Sequence, residues 1–207
     1  MSDTFQACTL PWSIWPWGLT LTHSDTDMWP ECSVEFGTMM PRPTPPYEEF
    51  WVRLDFELAA FASTKPHRDD ENLLNVSGYN IVPRARANDY AASQNDRAEW
   101  LRTGICPDPS FYFSVDSRWL ETERSSWAAR QRTDRQPENA VHFLLDGRDG
   151  YVEILASGFR WRAWRQGRPR LSAVSGEPVM SGAWVDGDAR LGGGDSDDAG
   201  SDAPQRD

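Results

Sequence analysis

Lysine is almost missing from this chain: Lys65 stands alone beside twenty arginines. Arginine codons are mostly GC-rich and lysine codons AT-rich, so the bias points to a GC-rich, bacterial coding genome. Cysteine is scarce too. Cys8, Cys32 and Cys106 are an odd set with no CxxC pair, which excludes a disulfide scaffold or a zinc knuckle and predicts free thiols. No apolar run approaches the ~18 to 20 residues that a membrane helix needs. The opening MSDTFQACTLPWSIWPW has an acid in place of a basic n-region and prolines inside its apolar part, unlike a signal peptide. A soluble, cytoplasmic protein is the expectation. Also lacking are a phosphate loop, paired metal ligands, a legible nucleophile–histidine–acid set, an internal repeat and any family motif, so no cofactor is predicted.

Positive charge is short overall. The net charge is -11, and from Asp186 onward seven aspartates face only Arg190 and Arg206. That run, DGDARLGGGDSDDAGSDAPQRD, has almost no apolar side chains and is predicted to be a disordered acidic tail over 185–207, behind one globular domain over 1–184. Its Asp-Gly pattern lacks the spacing and terminal Glu of a calcium loop. An acidic surface repels phosphates and anionic lipid heads, which disfavours nucleic acid and membrane as partners.

Large aromatics are abundant, with eleven Trp and nine Phe, each burying roughly 150 to 250 Å² in a core. The organising stretch is Ala140–Trp164, AVHFLLDGRDGYVEILASGFRWRAW. Val141–Leu145 and Tyr151–Leu155 read as a hairpin whose loop glycines can take a positive φ. Its first strand is apolar on both faces, which places it near the middle of a sheet covered on two sides. FWVRLDFELAAF over 50–61 alternates Phe50, Val52, Leu54, Phe56 and Leu58 against Arg53, Asp55 and Glu57, a half-buried strand with a solvated outer face. Shorter strands are predicted at Leu19–His23, Ser33–Phe36, Ser77–Pro83, Phe111–Val115 and Phe159–Arg165. Helices are predicted over 93–102, stopped by Gly104, and over 116–132, where Trp119, Glu123 and Trp127 share four-residue spacing. Pro41–Tyr47, rich in proline, reads as a stiff polyproline connector containing a formal PxxP.

Few residues suggest chemistry. Trp12, Trp15, Trp17 and Trp29 could form a stacking platform, but stapling an irregular N-terminal segment over the core is the plainer role. His23, Asp25 and Asp27 alternate, yet same-face positions on a flat strand are nearly 7 Å apart, too far to share an ion without a bend. His67 lies among acids in a polar loop. Cys106 sits in the shaped turn TGICPDP and would need His67 or His142 as a base to become a nucleophile. His142 itself reads as a core histidine. The strongest local field is Tyr151–Arg170, where Glu153 is the sole acid against five arginines. There Arg160, Arg162, Trp164 and Arg165 are the candidate binding residues, able to grip an acidic partner or phosphate.

The resulting expectation is an α+β fold: a mainly antiparallel sheet carrying one or two helices, with an irregular Trp/Pro-rich N-terminal segment over an edge or face. A β-sandwich or open barrel is the alternative. The expected function is a non-catalytic protein-binding module of immunity or regulatory type. The alternatives are a small enzyme around Cys106 and a histidine, or a nucleic-acid binder using the Arg/Trp strand over 159–170.

Overall fold

In the computed structural model, the described residues are 3–14, 19–24, 31–42, 47–57, 61–66, 79–82, 90–129, 139–147, 150–165, 180–185 and 188–192. Period-two alternation makes most of them strands. In chain order these are β1 (Asp3–Ala7), β2 (Thr20–Ser24), β3 (Glu31–Pro41), β4 (Tyr47–Glu57), β5 (Phe61–Pro66), β6 (Tyr79–Val82), β7 (Phe111–Ser114), β8 (Val141–Asp146), β9 (Gly150–Ala156), β10 (Gly158–Arg165), β11 (Met180–Val185) and β12 (Asp188–Gly192). Two helices, α1 (Tyr90–Thr103) and α2 (Arg118–Ala129), flank β7 in sequence.

The strands form two sheets of six, ordered β5-β9-β8-β7-β1-β6 and β12-β11-β10-β4-β3-β2. Only β1 and β6 pair in parallel among the described strands; the other pairings are antiparallel. The single sheet expected from the sequence is therefore two separate sheets, not closed into a barrel. Their facing sides share one core. Phe56 of β4 and Phe159 of β10 meet Phe111 of β7 and Phe143 of β8, with ring centroids 4.9 to 6.3 Å apart, a range in which aromatic pairs attract beyond their buried area.

Alternation assigns the faces. On β8, Val141, Phe143 and Leu145 turn into this core, while Leu144 joins a second apolar cluster with Phe5, Ile81, Tyr112 and Tyr151 on the other side of the first sheet. That double burial explains the unbroken apolar run of the hairpin's first strand. Where β9 ends, the chain passes to the second sheet within one residue: Ser157 donates its amide and its hydroxyl to the Glu57 carbonyl, both at 3.0 Å. Gly158 then stands opposite Glu57.

Trp12 is no exception to the stapling role, since it ties its segment to the central core, where it is fully buried, stacked on Phe111 and edge-on to Phe36 and Trp161. Pro41 and Tyr47 are directly opposite each other across β3 and β4, and residues 43–46 of the expected polyproline connector lie outside the described residues. Other expectations need correction. The run 50–61 is divided between the sheets, β4 ending at Glu57 and β5 starting at Phe61. Lys65 lies in β5. Pairing of β12 with β11 extends the second sheet beyond residue 185, into the segment expected as tail. Trp15, Trp17, Trp29, Asp25, Asp27 and His67 lie outside the described residues.

Helix ends follow the expected chemistry. Gly104 takes a φ of 72° and its amide reaches the Trp100 carbonyl at 2.8 Å, closing α1; such left-handed caps favour glycine. The Trp100 indole donates to the Pro11 carbonyl at 2.9 Å, which fixes α1 against the N-terminal segment. Ser117 caps α2 by accepting the Leu120 amide at 3.2 Å, and Asp3 accepts the Arg118 amide at 3.2 Å. Leu120, fully buried, packs with Ala140 and Leu155 against the outer side of the first sheet.

Candidate functional site

The four residues singled out in sequence fall on β10, at the middle of the second sheet. Arg160, Arg162 and Trp164 alternate with the buried Phe159, Trp161 and Ala163, so they share the face turned away from the core. Antiparallel pairing sets them beside β4, with Arg160 opposite Asp55, Arg162 opposite Arg53 and Trp164 opposite Trp51. β3 continues the rows, Glu35 standing opposite Arg53 and Gly37 opposite Trp51. The result is a charged field bordered by two tryptophans side by side.

Every β10 arginine meets a carboxylate of the chain. Arg160 Nε lies 2.8 Å from Glu57 Oε1, and Arg162 Nη2 lies 2.7 Å from Asp55 Oδ2. Arg53 joins Asp55 to Glu35 through contacts of 2.7 and 3.2 Å. The Arg162 guanidinium also lies 5.8 Å from the Trp164 ring centre, within cation–π range. Arg165 departs from the row. Its odd place in the alternation puts it opposite Phe50, beyond the end of the core, where its Nε reaches Glu48 Oε1 at 2.9 Å.

A second constellation is absent from the sequence reading. On the outer side of the first sheet, His142 is fully buried and its Nδ1 lies 2.8 Å from Ser117 Oγ, while its Nε2 lies 3.5 Å from Glu153 Oε1. Tyr79 donates its hydroxyl to Glu153 Oε1, and Lys65 pairs with Glu153 Oε2. Phe5, Tyr79 and Trp119 surround the imidazole edge-on, with centroids 5.0 to 6.3 Å away. The signal was present in sequence: a histidine and a glutamate, each inside an apolar run, on the two strands of one hairpin. Pairing places His142 opposite Leu155 and Leu144 opposite Glu153, so the two polar groups are diagonal neighbours on one face.

Chemically this line of Ser117, His142 and Glu153 has the members of a hydrolase triad, held in a closed setting. Ser117 Oγ already accepts the Leu120 amide while it is held against His142 Nδ1, so the hydroxyl is engaged on two sides. Ser117, His142 and Glu153 are each at most 1% exposed, and a substrate carbonyl would have to displace the aromatic ring set to reach them. Burial pushes the Glu153 carboxyl up, but His142, Lys65 and Tyr79 outweigh it and hold it down at about 2. Burial and the adjacent Glu153 raise the Tyr79 hydroxyl, which keeps it a donor.

The thiols are buried as well. Burial pushes Cys106 and Cys32 up to about 12 and raises Cys8 as well, so neutral thiol prevails at physiological pH. The Cys106 amide is tied to the Leu10 carbonyl at 2.7 Å, in the loop after α1, whereas His142 is engaged with Ser117 and Glu153 on the outer side of the first sheet. Cys106 and His142 are therefore not brought together as nucleophile and base. Among the described residues no cluster of three or more His, Cys, Asp or Glu is disposed to hold a metal ion, and no helix is long and apolar enough to cross a membrane. Protein-family models, curated proteins and solved structures offer no match to this chain.

Proposed function

We propose that this chain is a non-catalytic binding module of immunity or regulatory type, cytoplasmic and bacterial, that holds a protein partner on the outer face of its second sheet. The observation that carries the reading is the arrangement of Arg160, Arg162, Arg53, Asp55, Glu57 and Glu35 as a ladder of ion pairs beside Trp51 and Trp164. Exposed pairs of this kind contribute only ~0 to 1 kcal/mol each to folding. Their charges can be re-paired by a partner at little cost to the fold, and arginine and tryptophan are the side chains that dominate protein interfaces.

Mixed charge favours a protein over nucleic acid as the occupant. A phosphate backbone would have to compete at Arg160, Arg162 and Arg165 with Glu57, Asp55 and Glu48, and it would meet the repulsion of an acidic chain. A protein surface can offer both signs in register. The engaged Ser117 and the protonated thiols support a non-catalytic role.

The test is affinity capture from the native host with the wild-type chain and with an Arg160→Glu/Arg162→Glu/Trp164→Ala variant of unchanged circular dichroism. A stoichiometric protein retained by the wild type and lost by the variant is the expected result. Capture of nothing, or equal retention by both, would overturn the proposal.

A further inference from the structure

The ladder on the outer face of the second sheet is matched in charge within itself. Arg53, Arg160 and Arg162 stand against Glu35, Asp55 and Glu57, and each arginine lies within 2.8 Å of one of these carboxylates. The whole chain carries a net charge of -11, so two copies repel each other in general, whereas the ladder presents no net charge to its own duplicate. Its pairs are open to solvent: the Arg160 and Arg162 side chains are 74% and 48% exposed.

Strand order arranges these signs in columns. Along the outer face β10 presents Arg160, Arg162 and Trp164, and the neighbouring β4 presents Glu57, Asp55, Arg53 and Trp51. Glu49, the next outward position of β4, lies past the last residue of β10 and outside these rows. A two-fold axis running along the strands between β10 and β4 exchanges the two columns row for row. Arg160, opposite Asp55 within one chain, is then laid over Asp55 of the second copy, and Asp55 over its Arg160, the reciprocity of a two-fold interface. Trp164, opposite Trp51, is laid over Trp51 of the second copy. The row of Arg162 and Arg53 meets itself, and there Asp55 bridges the two guanidinium groups while Glu35 flanks Arg53, so two carboxylates accompany the two cations.

The face also has the required size. Six strands at ~4.8 Å spacing and the eight residues of β10 at ~3.3 Å each make an area on the order of 700 Å², against roughly 800 Å² per partner in a standard interface.

We propose that the occupant of this face is a second copy of the chain, in a two-fold symmetric dimer that lays the arginine column of each copy on the acidic column of the other. Resting on the partner face proposed above, the dimer makes the chain its own partner.

Sedimentation equilibrium of the full-length chain in physiological salt should report twice the 23.5 kDa of one chain. Two variants each reverse one column: Arg160→Glu/Arg162→Glu leaves the face predominantly acidic, and Asp55→Arg/Glu57→Arg leaves it predominantly basic. Each alone should dissociate at least about tenfold more readily than the wild type. Mixed in equal amounts the two should dimerise again, a rescue that misfolded variants would not show. In the wild type, concentration-dependent amide shifts should fall on Asp55, Arg160 and Trp164, a readout that needs no variant. A wild type that stays monomeric up to ~0.1 mM, shifts that bypass this face, or folded variants that remain apart when mixed would overturn the dimer. A monomer that still captures a different host protein, and loses it in the Arg160→Glu/Arg162→Glu/Trp164→Ala variant, would leave the partner face standing and remove only the second copy from it.

Discussion

His142 Nδ1 and Ser117 Oγ, 2.8 Å apart, join the middle of the first sheet to the start of α2. Ser117 Oγ is simultaneously the acceptor for the Leu120 amide. One hydroxyl thus satisfies a buried ring nitrogen and a helix-terminal amide. Ser117→Ala removes both contacts: loss of an N-cap costs roughly 0.5 to 2 kcal/mol, and an unsatisfied buried ring nitrogen adds about 1 to 3 kcal/mol. The variant should lose on the order of 2 to 4 kcal/mol in urea denaturation, with hydrogen exchange accelerated first in α2. A loss below about 0.5 kcal/mol would show that the hydroxyl is dispensable.

Glu153 sets an acid limit on stability. Its folded pKa is held at about 2, below the ordinary 4.5, so the folded state favours the ionised form. The contribution is fully present above pH ~4.5 and is lost as pH falls from there toward 2, and it is on the order of 3 kcal/mol. Glu153→Gln should abolish this component. Denaturation midpoints measured between pH 5 and 2.5 should fall less steeply for the variant than for the wild type, and parallel curves would refute the assignment.

Legibility differed between elements for physical reasons. The hairpin of β8 and β9, and the alternation in β4 and β10, are local patterns that residues 141–165 and 50–57 carry in themselves. β1 is different: DTFQA presents one buried side chain, Phe5, and it exists because β6 and β7 from far along the chain supply its hydrogen bonds. Arg160, Arg162 and Trp164 were recognisable as one face because period two dictates it; the same rule shows why Arg165 leaves that row. Ser117, His142 and Glu153 could not be united by periodicity, since their meeting depends on the register of β8 against β9 and on where α2 begins. Composition made residues 188–192 resemble tail, because Gly and Asp depress strand propensity and only pairing with β11 offsets that.

Gly182 is a packing requirement of the β10–β11 pair. It stands opposite Trp161, and a Cβ built on it would lie 2.4 Å from the indole Nε1 and 2.7 Å from Cε2. Trp161 is 2% exposed and is held edge-on by Trp12, so it has little freedom to retreat. Gly182→Ala should therefore destabilise by ~1 to 3 kcal/mol, the cost of overpacking. In the Trp161→Phe background the smaller ring leaves room, and the added cost of Gly182→Ala should shrink. A thermodynamic cycle in urea measures the coupling; strict additivity would disprove the contact.

The cysteines supply the last prediction, one that also weighs against thiol catalysis. Cys8, Cys32 and Cys106 are 1%, 3% and 5% exposed, and burial moves all three thiols upward. A catalytic thiolate requires the opposite: access and a field that lowers the pKa. At pH 8 the folded chain should leave a chromogenic disulfide reagent unreacted on the minutes timescale, and all three thiols should react at once in denaturant. Iodoacetamide at pH 7 should likewise leave Cys106 unmodified by mass spectrometry. Rapid, selective alkylation of Cys106 in the folded chain would mean that its loop opens to solvent and that a base or cation reaches the sulfur. The chemistry rejected for this site would then have to be reinstated, with His67 the first residue to test as the base.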